Sequence, residues 1–307
     1  MQIKYCLFIL ALAPIFTSCV EETEINTDNY VINSMFASDA PFIVQTSKTV
    51  SVFDAGTYYT EKGMEGKLYE DEKLLGELIF QEEKHLENSS TSIPEGYTLP
   101  NFAPKERKQY KIEFQHNGQT ITASDVMPSK VDFKITKTAT VREGDINTAK
   151  GLRCDLTFSD PPKEDNYYVI SYNVTSYVDS QSDNVWTQSY GSMKSDDPLI
   201  EYQYYHQSNL ATSSCFILSD KSFNGKNYTI PVDFYVGHDL GEVKSLNIYL
   251  LSVSEQYYKY VVSSVKQNNN NKDYYAEPTQ AYNNINNGYG IFAAYNISKQ
   301  SVEFERK

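Results

Sequence analysis

Residues 109–123 read QYKIEFQHNGQTITA, and this stretch decides the fold class. Tyr110, Ile112 and Phe114 alternate with polar neighbours, Asn117-Gly118 follows, and Ile121 and Ala123 alternate on the way back. A period of two belongs to a strand with one buried face. Asn-Gly supplies the two positive-φ positions of a type I′ turn, so the stretch predicts a two-residue β-hairpin. Met127-Pro128-Ser129 then ends the run and marks a domain junction near 128.

The same pattern extends in both directions. Upstream, YVINSMF (30–36) and FIVQTSKTVSVF (42–53) are β-rich runs separated by Ser-Asp-Ala-Pro, and 64–70 with 74–80 flank Asp71-Glu72-Lys73 as a second hairpin. The charged, Pro-punctuated span 81–107 reads as a long loop. Downstream, strands are expected at 131–142, 150–158, 166–178, 199–205, 214–219, 228–236 and 244–253. The period then changes. Tyr257, Tyr258, Val261, Val262 and Val265 form a helical stripe, so an amphipathic helix is expected over 254–266. Ser254 suits its N-cap, Glu255 its first turn and Lys266 its last. Ile291, Ala293 and Tyr295 alternate with Phe292 and Ala294 as a closing strand, with Gly288 and Gly290 candidates for positive φ in the preceding turn. The expected fold is all-β: an Ig-like β domain over 30–128, and a β domain over 129–307 with one helix covering an open face or edge of its sheet. Both domains are sandwich-like.

Composition agrees. Of 307 residues, 40% are apolar and 22% charged, which excludes a disordered or collagen-like chain. The 26 tyrosines and 15 phenylalanines, beside a single Trp, favour strands. Forty acids against 27 Lys+Arg give a net charge of −13, which argues against a nucleic-acid partner.

The N-terminus reads as an address. After Lys4, an apolar run extends from Cys6 to Phe16, and Thr17-Ser18 precede Cys19. The run has the length of a signal-peptide core and is too short to span a bilayer. Residues 1–18 are therefore expected to be a lipoprotein signal peptide, with Cys19 lipidated and 19–29 a tether. Two or more acyl chains anchor a protein stably. Val20-Glu21-Glu22-Thr23-Glu24 resembles the surface-export signal of Bacteroidota lipoproteins. Of the other cysteines, Cys154 and Cys215 are compatible with a disulfide in an exported protein and equally with buried free thiols.

Motifs for chemistry are sparse. GxSxG, HExxH, the Walker A pattern and CxxC are all missing, and His85, His116, His206 and His238 are scattered. Asp179, Asp183, Asp196 and Asp197 lie in a polar segment but lack the order of a calcium loop and read as solvated acids. No metal or cofactor is expected. The candidate binding surface is the aromatic stretch Trp186, Tyr190, Tyr202, Tyr204, Tyr205 and His206, whose rings combine large area with hydrogen-bonding tips. Tyr202 and Tyr204 share one strand face, which equally fits an amphipathic strand.

The C-terminal stretch AEPTQAYNNINNGYGIFAAY (276–295), the helix start Ser-Glu-Gln-Tyr-Tyr-Lys-Tyr (254–260), NYVINSMFASDAPFIVQTSK (29–48), the Tyr-Lys-Ile-Glu-Phe hairpin and the Pro128 junction together resemble a Bacteroidota outer-membrane lipoprotein family, the domain of unknown function DUF4249. The resemblance implies a surface-exposed, lipid-anchored, non-enzymatic binding or accessory protein encoded beside a TonB-dependent receptor, with no catalytic residues to carry over. The competing readings are a surface hydrolase acting on glycan or peptide, and a surface adhesin.

Overall fold

The Asn117-Gly118 hairpin closes as its residues require. His116 pairs with Gln119, and the two turn residues take φ of 49° and 77°. Tyr110, Ile112, Phe114, Ile121 and Ala123 are all buried on one face. The computed structural model describes residues 29–50, 60–85, 92–142, 149–178, 184–188, 192–208, 211–236, 242–270, 277 and 279–305. Cys19, the signal and most of the tether lie outside the described residues.

In chain order the strands are β1 (Tyr30–Ala37), β2 (Gln45–Lys48), β3 (Glu65–Glu70), β4 (Lys73–Gln81), β5 (Lys84–His85), β6 (Ser92–Ile93), β7 (Gly96–Thr98), β8 (Gln109–His116), β9 (Gln119–Val126), β10 (Phe133–Arg142), β11 (Ala149–Ser159), β12 (Tyr167–Tyr177), β13 (Val185–Gln188), β14 (Met193–Lys194), β15 (Tyr202–Ser208), β16 (Ala211–Ser219), β17 (Asn227–Tyr235) and β18 (Val243–Val253). Helix α1 (Glu255–Asn270) and strand β19 (Tyr289–Glu303) follow. Among the described residues the fold is all-β with one helix near the C-terminus.

An eight-stranded sheet forms the platform, ordered β15-β16-β12-β18-β19-β1-β2, with β13 pairing β12 off this path. A four-stranded sheet (β10-β11-β17-β14) and a five-stranded sheet (β7-β4-β3-β8-β9) complete the main layers. Even-numbered residues of β12, β18 and β19 share one face of the platform, because residues paired in antiparallel strands point the same way. At one end this face packs Tyr168, Ile170, Tyr172, Ile248 and Leu250 against Leu156, Ile230, Val232 and Phe234 of the four-stranded sheet. At the other end it packs Phe36, Phe292 and Ala294 against Leu68, Tyr110, Ile112 and Phe114 of the five-stranded sheet. Each fully buried Val, Leu, Ile or Phe among them contributes about 1.5–3 kcal/mol.

The chain therefore does not close its first core locally. Strand β1 pairs in parallel with β19, from Val31↔Tyr289 to Ala37↔Tyr295, and Phe36 stacks on Phe292 with ring centroids 4.7 Å apart. The chain around the junction expected near 128, residues 128–132, crosses the platform between the two cores. A polar strip receives it: Asn296 Nδ2 donates to the Pro128 carbonyl at 2.6 Å, Val131 N–H donates to Ser252 Oγ at 3.1 Å, and Ser298 Oγ donates to Asp132 Oδ1 at 3.0 Å. Asn296, Ser252 and Ser298 are buried, so these bonds satisfy groups that would otherwise be costly.

Five expectations change in detail. The span 81–107, read as a loop, holds β5, β6 and β7, of which β7 pairs with β4. The second hairpin turns on two residues, not three: Glu70 pairs with Lys73, and Asp71 and Glu72 take φ of 46° and 64°. The Asp71 carboxylate accepts from Lys108 Nζ at 2.5 Å and from the Gln109 amide at 3.1 Å, which holds a conformation usually left to Asn or Gly. The helix runs a turn further than 266, to Asn270. The Asn270 amide bonds the Glu277 carbonyl and the Thr279 hydroxyl beyond that end, and Lys266 is not in the last turn. In the turn before β19, Asn287 (φ 57°) and Gly290 (φ 112°) take positive φ, whereas Gly288 is needed for close approach, since a Cβ there would lie 2.9 Å from the Tyr30 carbonyl. Finally, Cys154 and Cys215 are both free and buried. The disulfide is not formed because Cys154 points into the core between sheets while Cys215 points to the opposite face of the platform.

Candidate functional site

On β1, β12, β16, β18 and β19 the face of the platform opposite both cores carries odd-numbered residues, and only part of it is covered. Ser254 caps α1, its hydroxyl accepting from the Tyr257 amide at 3.2 Å. One helical turn apart, Tyr257 and Val261 then bury themselves against Val169, Ile217, Ile291 and Ala293. Tyr258 stacks on Tyr167 at 4.4 Å between ring centroids. The helix thus occupies one end of this face.

Beside it lies a cavity of about 850 Å³. Its floor includes Val169 (β12), Leu251 (β18) and Ile291 (β19); Tyr257 and Tyr260 of α1 form one wall, and Pro41, Ile43 and Pro94 line the opposite side. Five tyrosines line it: Tyr204, Tyr249, Tyr257, Tyr260 and Tyr295. Tyr204 hydrogen-bonds both Tyr257 and Cys215. Burial pushes the Tyr204 phenol well above its ordinary value, and burial likewise raises Tyr257 and Tyr295. These phenols are neutral hydrogen-bonding groups at physiological pH. No Asp, Glu, Lys, Arg or His lines the cavity among the described residues.

At Tyr249 the face changes character. Tyr249 also lines a second cavity of about 440 Å³, with Asn173, Thr175, Asn247, Ser301 and the charged Lys244, Lys299 and Glu303. The uncharged side chains bond one another: Asn173 Nδ2 donates to the Tyr249 hydroxyl at 2.9 Å, Asn247 Nδ2 to Asn173 Oδ1 at 2.9 Å, and Ser301 Oγ to Asn247 Oδ1 at 2.7 Å. An apolar, phenol-rimmed trough therefore runs into a polar ladder on one continuous sheet face. The combination offers apolar contact and hydrogen bonds. It holds no paired nucleophile and base, and no group of three or more His, Cys, Asp or Glu that could hold a metal occurs among the described residues.

The sequence matches the family model of the domain of unknown function DUF4249 over residues 16–301. The chain belongs to the DUF4249 family. No curated protein and no solved structure matches this DUF4249 chain.

The aromatic stretch singled out in the sequence divides. Tyr204 lines the cavity and Tyr202 packs beside it against the helix-covered cluster, so these two do not form an exposed patch. The backbones of Tyr205 and His206 continue β15, pairing Ser214 and Ser213, and Trp186 pairs Ser176 in β13. Tyr190 lies outside the described residues, as do Asp179 and Asp183. Asp197 is engaged structurally, its two oxygens accepting from the Tyr228 hydroxyl at 2.6 and 2.7 Å. Sequence reasoning missed Tyr249, Tyr260 and Tyr295 as a group. They sit on α1, β18 and β19, and only strand order brings them to one face. The odd parity that Tyr249 and Tyr295 share with Leu251 and Ile291 is the signal that was present; Tyr260, on the helix, carries none.

Proposed function

We propose that this DUF4249 protein is a non-enzymatic binding lipoprotein of the outer membrane, facing the cell exterior and working beside a TonB-dependent receptor. The observation that carries the binding reading is the uncharged, tyrosine-lined cavity on the free face of the platform, which has the size and mostly apolar lining of small-molecule sites. The apolar run ending at Cys19 supports the anchor, and the acidic residues after it support the surface location. A tether of at most ten or so residues keeps the folded region within a few nanometres of the bilayer, where effective concentration for a membrane partner is high and modest affinity suffices.

The anchor is tested by palmitate labelling: Cys19→Ala abolishes incorporation and releases the protein to the soluble fraction. The partnership is tested by recovering the chain from detergent-solubilised outer membrane and identifying what accompanies it by mass spectrometry. A TonB-dependent receptor in the wild-type eluate supports the reading. Its loss from Trp186→Ala/Tyr190→Ala/Tyr205→Ala, with the fold intact, places the receptor contact on that stretch. A wild-type eluate without any receptor, under conditions that retain other lipoprotein–receptor pairs, refutes the accessory role.

A further inference from the structure

Resting on the reading of the cavity as a binding site, we infer that its ligand is an elongated, uncharged, mainly apolar molecule with one hydrogen-bond acceptor, such as an ester, amide or ketone oxygen. Three observations carry this. The first is charge. Among the described residues, twenty line the cavity; a random draw of that size from a chain that is 22% charged would bring about four charged side chains, yet none of these twenty is charged. An ionised ligand would lose its hydration there without gaining a counter-charge, which costs several kcal/mol.

The second is shape. The lining draws on every strand of the platform's main path, from Tyr204 on β15 to Gln45 on β2. The trough therefore runs across the strands. Seven strands at their usual spacing span roughly 29 Å. A site extended over that length suits an elongated ligand.

The third is a pair of unused hydroxyls. Tyr204 is engaged by Tyr257 and Cys215, and Tyr249 is held by Asn173. Tyr260 and Tyr295 line the same cavity, both half-buried, and neither hydroxyl has a hydrogen-bond partner among the described residues. The Tyr295 hydroxyl is accessible from the cavity side rather than sealed in the core, so it is free to donate to an acceptor on the ligand.

The test uses the full mature chain with Cys19→Ala, which carries no acyl chains of its own, and Nile red, an uncharged planar dye with a ring carbonyl. Saturable, one-site enhancement of Nile red emission is expected. Methyl laurate should displace the dye at least tenfold more effectively than the laurate anion. Leu251→Trp and Ile43→Trp, which fill the trough from its floor and its far side, should each abolish binding while circular dichroism stays that of the wild type. If one of the two fails to fold, the other decides. Tyr295→Phe should weaken binding about three- to tenfold. Ile79→Ser, which removes an exposed apolar side chain from the five-stranded sheet, should leave it unchanged. Absence of saturable binding, equal displacement by ester and anion, or full binding by a folded trough-filled variant overturns the inference. The receptor pull-down repeated with Leu251→Trp keeps the two readings apart: receptor capture without dye binding leaves the accessory role standing alone.

Discussion

The carboxylate of Asp125 accepts a hydrogen bond from the backbone amide of Ala294 at 2.7 Å, joining β9 to β19 across most of the chain. The same side chain accepts from its neighbour's amide, Val126 N–H, at 2.8 Å and from the Ser254 hydroxyl. Ser254 in turn caps α1, and its own amide donates to the Ala294 carbonyl at 3.0 Å. One buried carboxylate therefore ties together the five-stranded sheet, the platform and the helix that walls the cavity.

That carboxylate makes stability depend on pH. Burial, opposed by its hydrogen bonds and reinforced by the charge of Glu255, pushes Asp125 up from 3.8 to about 7. The folded state keeps its proton over a range in which the unfolded chain has released it. The contribution is thus complete below about pH 4 and is lost as pH rises through about 7, with a size on the order of a few kcal/mol. The difference in thermal midpoint between wild type and Asp125→Asn should shift against the wild type from pH 5 to pH 8. A constant difference across that range would show that Asp125 does not titrate there.

Gly290 permits the parallel seam. It takes φ of 112°, and a Cβ there would lie 2.1 Å from the Ile32 carbonyl oxygen. Gly290→Ala should cost at least about 2 kcal/mol in urea unfolding, with backbone strain and steric displacement acting together. Gly118→Ala, at an open turn position with nothing within 4 Å of the added Cβ, tests the φ effect alone and should cost less.

The helix is held by an apolar stripe of unequal burial. Val261 is 5% exposed, whereas Val262 and Val265 only pack at the margin of the cluster. Val261→Ala should cost about 1–2 kcal/mol and exceed either of the other two truncations. A thermal midpoint unchanged in the triple alanine variant would mean that α1 does not pack on the platform.

Neither buried thiol should react in the native protein. Burial pushes the Cys154 thiol up to about 12, and Cys215 sits beneath Tyr204 and Tyr257. With Cys19→Ala, Ellman's reagent should detect no thiol in the folded mature chain and two after denaturation. Two thiols missing after denaturation without reductant would signal a disulfide instead.

Much of the fold is legible locally because its signals are local. Alternation along 109–123 with Asn117-Gly118, and the change to a helical stripe at Tyr257 and Val261, need only a few consecutive residues to be read. The strands expected at 131–142, 150–158 and 244–253 occur within one or two residues of β10, β11 and β18. The helix end was misplaced because Asn270 is secured by Thr279, beyond any local stop signal. Of the candidate site, only Tyr204 was singled out in the sequence. Tyr205, His206 and Trp186 share its neighbourhood in sequence without any signal for which face each would take.

The sequence by itself determined the β class, the single helix with its Ser254 cap, most strand positions and the family, since each rests on periodicity, turn chemistry or a contiguous signature. Only the tertiary structure decided that β19 returns to pair with β1, that Asn296 and Ser298 receive the crossing segment, and that five tyrosines from separate elements rim one cavity. The physical reason is that hydrophobic alternation states which residues turn inward but not which strand they turn toward. Partner choice depends on non-local burial and hydrogen bonds, such as that from Ala294 to Asp125, which exist only once the chain has folded.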